Sequence, residues 1–409
     1  MQIAMFYHSL LSDWNHGNAH FLRGIVRELI NRGHSVRVYE PENGWSRTNL
    51  IHDYGPGALT GFHAAYPQLD SIQYSLERLD LQKELEGADL VMVHEWNEPE
   101  LVTLIGQHRK ECGRYALLFH DTHHRAVTAP DQMGQYDLAN FDGVLTFGEV
   151  LRRIYLDRGW AARAWTWHEA ADVGVFHPPS PGNHRWKKDL IWVGNWGDEE
   201  RTTELRDFVV QPARDLGLET EFYGVRYPEL ARAELEQAGI VYRGWLANYR
   251  VPGAFAHFRF TVHIPRRLYA QALPGIPTIR VFEALACGIP LISSPWQDSE
   301  HLFAPGEEFL MARNGEEMRE YMRMLIREPG LGRDLARKGL RRIQAQHTCA
   351  HRVDQLLNIL KELGVAAATR SPAPRPKPGD GRAWQPRDGS GARARLGGVR
   401  LGKADRNRR

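Results

Sequence analysis

The sequence predicts an α/β protein of two doubly wound, Rossmann-like halves that face one another across a cleft, and three observations carry that expectation. Short apolar strands alternate with amphipathic helical stretches over residues 1–172. The rhythm breaks in "ADVGVFHPPSPGNHRWKKD", which holds three prolines and two glycines and reads as a linker over 173–188. The same alternation then restarts and runs from 189 to 363. Strands separated by helices make a parallel sheet covered on both faces, and 409 residues suit two such domains rather than one core.

In the first half "QIAMFY" is a strand, and "AHFLRGIVRELINRG" places Phe21, Ile25, Leu29 and Ile30 at helical spacing before Gly33 stops it. "HSVRVYE" follows as a strand, "SLERLDLQKELEG" as a helix, "ADLVMVHE" as a strand and "EPELVTLIGQHRKEC" as a helix. "YALLFHD" and "DGVLTFG" are further strands, "EVLRRIYLDRG" a helix, and "ARAWTWHEA" closes the half as a strand. In the second half the expected strands are "LIWVGN", "TEFYGV", "IVYRGWL", "FTVHIP" and the end of "PTIRVFEALACGIPLISSP", with helices between them and a long terminal helix near 331–363.

Composition narrows the function class. Apolar residues make up 42% and charged residues 25%, as in a soluble globular protein. The start lacks a basic leader, no uncharged apolar run is long enough for a membrane span, and three lone cysteines without CxxC spacing, Cys112, Cys287 and Cys349, read as reduced and buried. A cytoplasmic protein is the expectation. The net charge of +2 is divided: residues 365–409 carry 12 Lys+Arg against 3 Asp+Glu in a Pro, Gly and Arg-rich tail. Such a tail is expected to be disordered. A polybasic arm for nucleic acid or an anionic membrane is one reading, and a solvated extension without a partner is the other.

The segment "PTIRVFEALACGIPLISSP", residues 277–295, poses the chemical question, because Arg280 and Glu283 stand three apart on a short helix that is otherwise apolar. With Pro277 near the first helical position and Gly275 before it, the helix N-terminus offers free N–H groups to an anion. Ile279, Phe282, Leu285 and Ala286 form the buried face, and Arg280 and Glu283 share the other. A plain Arg280–Glu283 salt bridge is the alternative.

This segment, with "LIWVGNWGDEERTTEL" and "LFAPGEEFLMARNGEEM", resembles the donor-site region of GT-B glycosyltransferases of the retaining family-4 type, and is most similar to their CgeB-like branch. The resemblance spans residues 1–363 and is faint near 40–80. It implies a nucleoside-diphosphate sugar as donor and an acceptor held mainly by the N-terminal half. It implies that Glu283 accepts hydrogen bonds from the ribose hydroxyls, and that Arg201, Asn195, Arg266 and Arg267 are candidates to face the diphosphate. Gly17 and Asn18, in the loop after the first strand, would bring backbone N–H groups to the reacting centre. His120, with Asp121 at the same strand end, would touch the donor sugar. The family carries a second Glu, eight residues before the ribose-binding one, at the donor sugar; this chain has Gly275 there, so the backbone N–H groups of Gly275 and Ile276 become candidates for that contact.

No cofactor and no metal are expected, since no Asp-x-Asp pair occurs in the chain. Two alternatives stand beside the transferase: a metal-dependent hydrolase using His120, Asp121, His123 and His124, and a nucleotide-sugar-binding protein without catalysis.

Overall fold

The computed structural model describes residues 1–179, 186–197 and 199–365; the basic tail lies outside them, as does part of the expected linker. Among the described residues, thirteen strands form two all-parallel sheets. The first holds β1 (Gln2–Phe6), β2 (Ser35–Pro41), β3 (Ile72–Tyr74), β4 (Leu90–His94), β5 (Ala116–Asp121), β6 (Gly143–Thr146) and β7 (Ala164–Thr166) in the order β3-β2-β1-β4-β5-β6-β7. The second holds β8 (Lys188–Val193), β9 (Thr220–Tyr223), β10 (Val241–Tyr242), β11 (Phe258–His263), β12 (Leu291–Ser293) and β13 (Leu310–Met311) in the order β10-β9-β8-β11-β12-β13. Both orders reverse direction beside the first strand of their half, the arrangement that opens a ligand crevice at the strand C-termini. Every residue of β4 and β5 is buried, as continuous apolar runs in a sheet covered on both faces must be.

Two edge strands escape the periodicity because they are short. Ile72–Tyr74 falls just before the stretch expected to be helical from 75 onward, and that stretch yields only single turns at Leu76–Arg78 and Leu81–Glu84. Leu310–Met311 has two residues, too few for an alternating pattern. The faint region near 40–80 contains helices Trp45–Tyr54 and Thr60–Ala65.

The long terminal helix is two helices, Pro329–Gln346 and Cys349–Glu362. The chain breaks because Thr348 caps the second, its side chain accepting from the His351 N–H. Backbone bonds from Ala171 N–H to His347 O (2.9 Å) and from Cys349 N–H to Ala171 O (3.0 Å) pin the break to the segment that leaves the first sheet. The last helix thereby packs on the first, Ala19–Asn31. Gly24 permits that approach: a Cβ there would stand 2.4 Å from Cys349 Sγ and 2.8 Å from Asp172 Cβ. One apolar core runs from Ile3 and Met5 through Phe21 and Ile25 to Val353 and Leu356, and on to Phe282 and Leu285. Cys287 and Cys349 are buried and unbridged as expected, but Cys112 is exposed, because it ends the amphipathic helix Pro99–Glu111 on its wet side.

Candidate functional site: a two-walled cleft

Between the sheets lies a cleft of about 1520 Å³, and its walls are the loops that follow the strands. His8 and Asp13–Asn18 follow β1, Trp45 follows β2, Trp96 follows β4, His123 and His124 follow β5, and Glu169 follows β7. From the other sheet, Asn195 and Arg201 follow β8, Arg226 follows β9 and Arg266 follows β11. Thr278, Ile279 and Arg280 complete that wall at the start of helix Ile279–Cys287.

The β1 loop is fixed from beneath. Arg23, fully buried, donates to Leu10 O (2.7 Å), Leu11 O (3.0 Å) and Asp13 Oδ2 (2.8 Å), and lies over the Phe62 ring. Asp13 in turn accepts from Trp245 Nε1 (2.9 Å) and Asn248 N–H (3.1 Å) of the second half. A loop carried by one half is thus tied to the other. Gly17 and Asn18 line the cleft as the sequence suggests, and Asn18 Nδ2 donates to Thr122 Oγ1 across the cleft floor. Ile279 is the nearest neighbour of Gly17 from the opposite wall, with its Cγ2 in van der Waals range at 3.4 Å of a Cβ built there.

The opposite wall is rich in guanidinium groups. Arg201 lies half-buried over the face of Trp192, donating to Ile264 O (3.0 Å) and to both oxygens of Asn195, while its Nε has no partner. Burial, and then the nearby Arg266, bring its pKa down to about 9. His263 is driven to about 3 by burial, Arg201 and Arg280, and His124 to about 4 by burial, Arg266 and Arg125. After burial itself, cationic neighbours lower each group, as expected where positive charge is in excess. Thr278 is the N-cap of helix Ile279–Cys287, but its hydroxyl is turned to His263 Nε2 (3.0 Å), so it caps no N–H. The helix starts two residues later than Pro277 suggested, because Thr278, its N-cap, is extended.

Asn195, Arg201, Arg266 and Arg280 therefore meet on one wall. Arg267 does not. It turns away to pair with Glu204 (2.9 Å), and its place among the diphosphate candidates is corrected accordingly. Arg266, which faces the cleft, is paired with Glu200 (3.1 Å).

Glu283 is not on a free helix face with Arg280. Nearly the whole helix is buried, and Glu283 is 0% exposed beneath the cleft wall. Its Oε1 accepts from His20 Nδ1 (3.0 Å) and Asn248 Nδ2 (2.6 Å), and its Oε2 from Arg280. His20 Nε2 accepts from the Asp172 N–H (2.7 Å), which leaves the ring proton on Nδ1 to be donated. Burial alone would push the Glu283 carboxyl up, but Arg280, His20 and Asn248 hold it below its usual range. Glu283 thus anchors Arg280.

The proposed sugar contacts also move. The Gly275 N–H donates to Gln297 O (2.7 Å) and the Ile276 N–H to Leu273 O (3.3 Å), so neither is free, and neither residue lines the cleft. His120 is 0% exposed, packed against Trp167 (4.9 Å between ring centroids), His94 (5.3 Å) and Phe21 (6.0 Å), and burial drives its pKa to about 3. Asp121 is buried too, accepting from Tyr155 OH (2.8 Å) and the His123 N–H (2.9 Å), with a pKa lifted by burial to about 6. Both lie inside the strand, one or two residues short of its open end; His123 and His124 are the members of "HDTHH" that reach the cleft. Those four side chains form no ligand set, and among the described residues no group of three His, Cys, Asp or Glu side chains is placed to hold a metal ion.

Sequence reasoning missed Glu169, His16, Trp96 and Tyr269, all on the cleft wall. Only Glu169 left a signal. It stands just past a strand end, but "ARAWTWHEA" was read as strand throughout, whereas β7 stops at Thr166.

Residues 201–358 match the family model described as glycosyl transferase-like. No curated protein sequence is similar enough to match. Among solved structures, sucrose-phosphate synthase from Thermosynechococcus elongatus superposes with a TM-score of 0.61 at 14% identity, over 89% of this chain and 99% of that one. Anabaena HepE, in complex with UDP and glucose, gives 0.61 at 12% identity, over 88% and 100%. An alpha-glucosyltransferase in complex with UDP and a mismatch-containing DNA gives 0.63 at 11%, over 88% and 99%. Residues 201–358 are thus similar to a glycosyl transferase-like model, and over nearly nine-tenths of its length the chain has the GT-B fold of these structures.

Proposed function

We propose that the chain moves a sugar from a nucleoside-diphosphate sugar to an acceptor held against the N-terminal wall of the cleft. The observation that carries this reading is the cationic wall: Arg201, Arg266 and Arg280 surround an uncapped helix N-terminus in a cleft enclosed by strand C-termini from both sheets. A departing nucleoside diphosphate needs its growing charge stabilised by fixed donors, and such a wall supplies them. Arg201 and Arg266 would meet the phosphates, the N–H groups of helix Ile279–Cys287 would add their dipole, and Glu283 would hold Arg280 against the nucleotide. With that much positive charge from side chains, transfer needs no metal and no cofactor. HepE and the alpha-glucosyltransferase hold UDP in their structures, which makes uridine nucleotides the first donors to try. The motif over 277–295 favours the CgeB-like branch and, with it, retention of configuration at the sugar.

A panel of nucleotide sugars scored by thermal stabilisation tests the reading. A ligand at 100 times its Kd adds about 2.7 kcal/mol. The matching donor should raise the melting temperature, and its labelled sugar should appear on an acceptor in the presence of EDTA. If no nucleotide sugar stabilises the protein and none is turned over, the reading is wrong. Activity abolished by EDTA and restored by magnesium or manganese would instead remove metal independence alone.

A further inference from the structure

Gly275 leaves a gap in the chemistry, because the carboxylate that the resembling family sets against the donor sugar is absent. The space is not open either. With φ at +93°, Gly275 sits where a Cβ would come 2.7 Å from Glu300 Oε1 and 2.9 Å from Ser299 Oγ. Glu300 is itself engaged by His168 Nε2 (2.8 Å) and the Glu149 N–H (2.9 Å), and does not line the cleft.

Of the carboxyls that do line it, Glu169 alone is buried. Glu169 is only 6% exposed, faces the cleft beside Tyr269 and Arg280, and has no hydrogen bond or ion pair to another side chain or backbone group among the described residues. Its carboxyl oxygens are open only to the cleft, so whatever satisfies them, water or a ligand, comes from there. Arg280, the cation nearest in effect, is already committed to Glu283. Glu169 comes from the loop after β7 of the first sheet and stands close to the Arg280 end of the cationic wall. The group next to a diphosphate held on that wall is the sugar that it carries.

Building on the donor-binding reading above, we propose that Glu169 hydrogen-bonds the hydroxyls of the transferred sugar and so sets which sugar the site accepts. It stands in for the carboxyl absent at 275, from the other half of the molecule. Burial and the neighbouring Glu283 lift its pKa to about 8, against a smaller opposing pull from Arg280. A neutral carboxyl both donates and accepts, which suits a vicinal diol, and it avoids repulsion with the diphosphate next to it.

The test is titration of wild type, E169Q and E169L with nucleoside diphosphates and their sugars: UDP with UDP-glucose and UDP-N-acetylglucosamine, GDP with GDP-mannose, ADP with ADP-glucose. Both variants keep about the volume of Glu169, whose side chain makes no hydrogen bond or ion pair among the described residues, so both should fold. For the pair in which wild type gains affinity from the sugar, E169L should lose that gain, about five- to tenfold. It should leave the free diphosphate within about twofold, while E169Q, which still donates and accepts, should stay near wild type. A wild-type sugar gain that survives in E169L overturns the role of Glu169 while leaving the donor reading intact. Equal weakening of diphosphate and nucleotide sugar overturns it too, because the residue would then act on the phosphates. A wild type that binds none of these nucleotides overturns the donor reading, and this inference with it.

Discussion

The two walls of the cleft are built from different chemistry. The wall from the second sheet concentrates Arg201, Arg266 and Arg280 about one helix end, while the wall from the first presents Trp45 and Trp96, both well exposed, with Glu77, Glu98 and Glu100 nearby. A diphosphate demands the same response from any protein, namely fixed cations and N–H groups, so the donor wall is chemically generic. An acceptor imposes no such common demand. The fold alone is shared with an enzyme bound to DNA; the surface of this wall is what speaks to its own acceptor.

If the donor wall works as described, its largest single contribution comes from Arg201. R201A removes a half-buried charge that makes three hydrogen bonds and covers Trp192. Nucleoside diphosphate affinity should fall about 30- to 100-fold, in the range of hydrogen bonds to charged groups. R201K should recover only part, since an ammonium cannot replace the planar fork. Calorimetric titration with the diphosphate reads both, and near-normal binding by R201A would dissolve the distinction between the walls.

Glu283 comes next, and it separates a ribose contact from an anchor. With His20, Asn248 and Arg280 all donating to it, E283A should loosen three partners at once, lowering the melting temperature by several degrees and weakening a ribonucleoside diphosphate about tenfold. The 2′-deoxy analogue should be weakened equally. A loss confined to the ribonucleotide would put Glu283 on the ribose after all.

Arg266 and Arg267 offer a matched pair, neighbours in sequence on opposite sides of the wall. R266A should weaken the diphosphate about five- to tenfold, less than R201A because Glu200 already shares its charge. R267A removes an exposed pair with Glu204 and should change binding less than twofold. Similar losses in both variants would mean a long-range charge effect rather than a built site.

What was legible in the sequence follows the same division. The two sheets were legible because parallel strands buried on both faces are apolar runs, and the cationic wall was legible where one local motif carries it. Gly17, Asn18, Asn195, Arg201, Arg266 and Arg280 all reach the cleft. The failures share a cause, which is that a strand's last residues differ in direction and burial by one position at a time. His120 and Asp121 were placed at an open end that begins only at Thr122, and Glu169 was counted inside a strand that had already stopped. The burial of Glu283 could not be read locally either, because His20 and Asn248 come from positions 263 and 35 residues away.

The smallest effect tests the charge state of Glu169, and its sign can be worked out. Folding raises its pKa from 4.5 to about 8, so between those values the folded protein keeps a proton that the unfolded chain has released. Stability from this group is therefore fully present below about pH 4.5 and is lost as pH rises through 8. E169Q mimics the protonated form at every pH and should match wild type at pH 5, then outlast it increasingly toward pH 8.5. Each unit of displacement is worth about 1.4 kcal/mol, but a group open to the cleft keeps only part of that, so the gap should reach about 1 to 2 kcal/mol, or a few degrees. The groups that act on Glu169 are Glu283 and Arg280 on one helix, and Tyr269 lies within its electrostatic reach; none of them is altered by the substitution. A gap that is constant from pH 5 to 8.5 would mean that Glu169 is ionised in the folded protein. A carboxylate beside the diphosphate would then repel it, and the first wall would be acidic throughout, sharpening the contrast with the second but moving the sugar contact elsewhere.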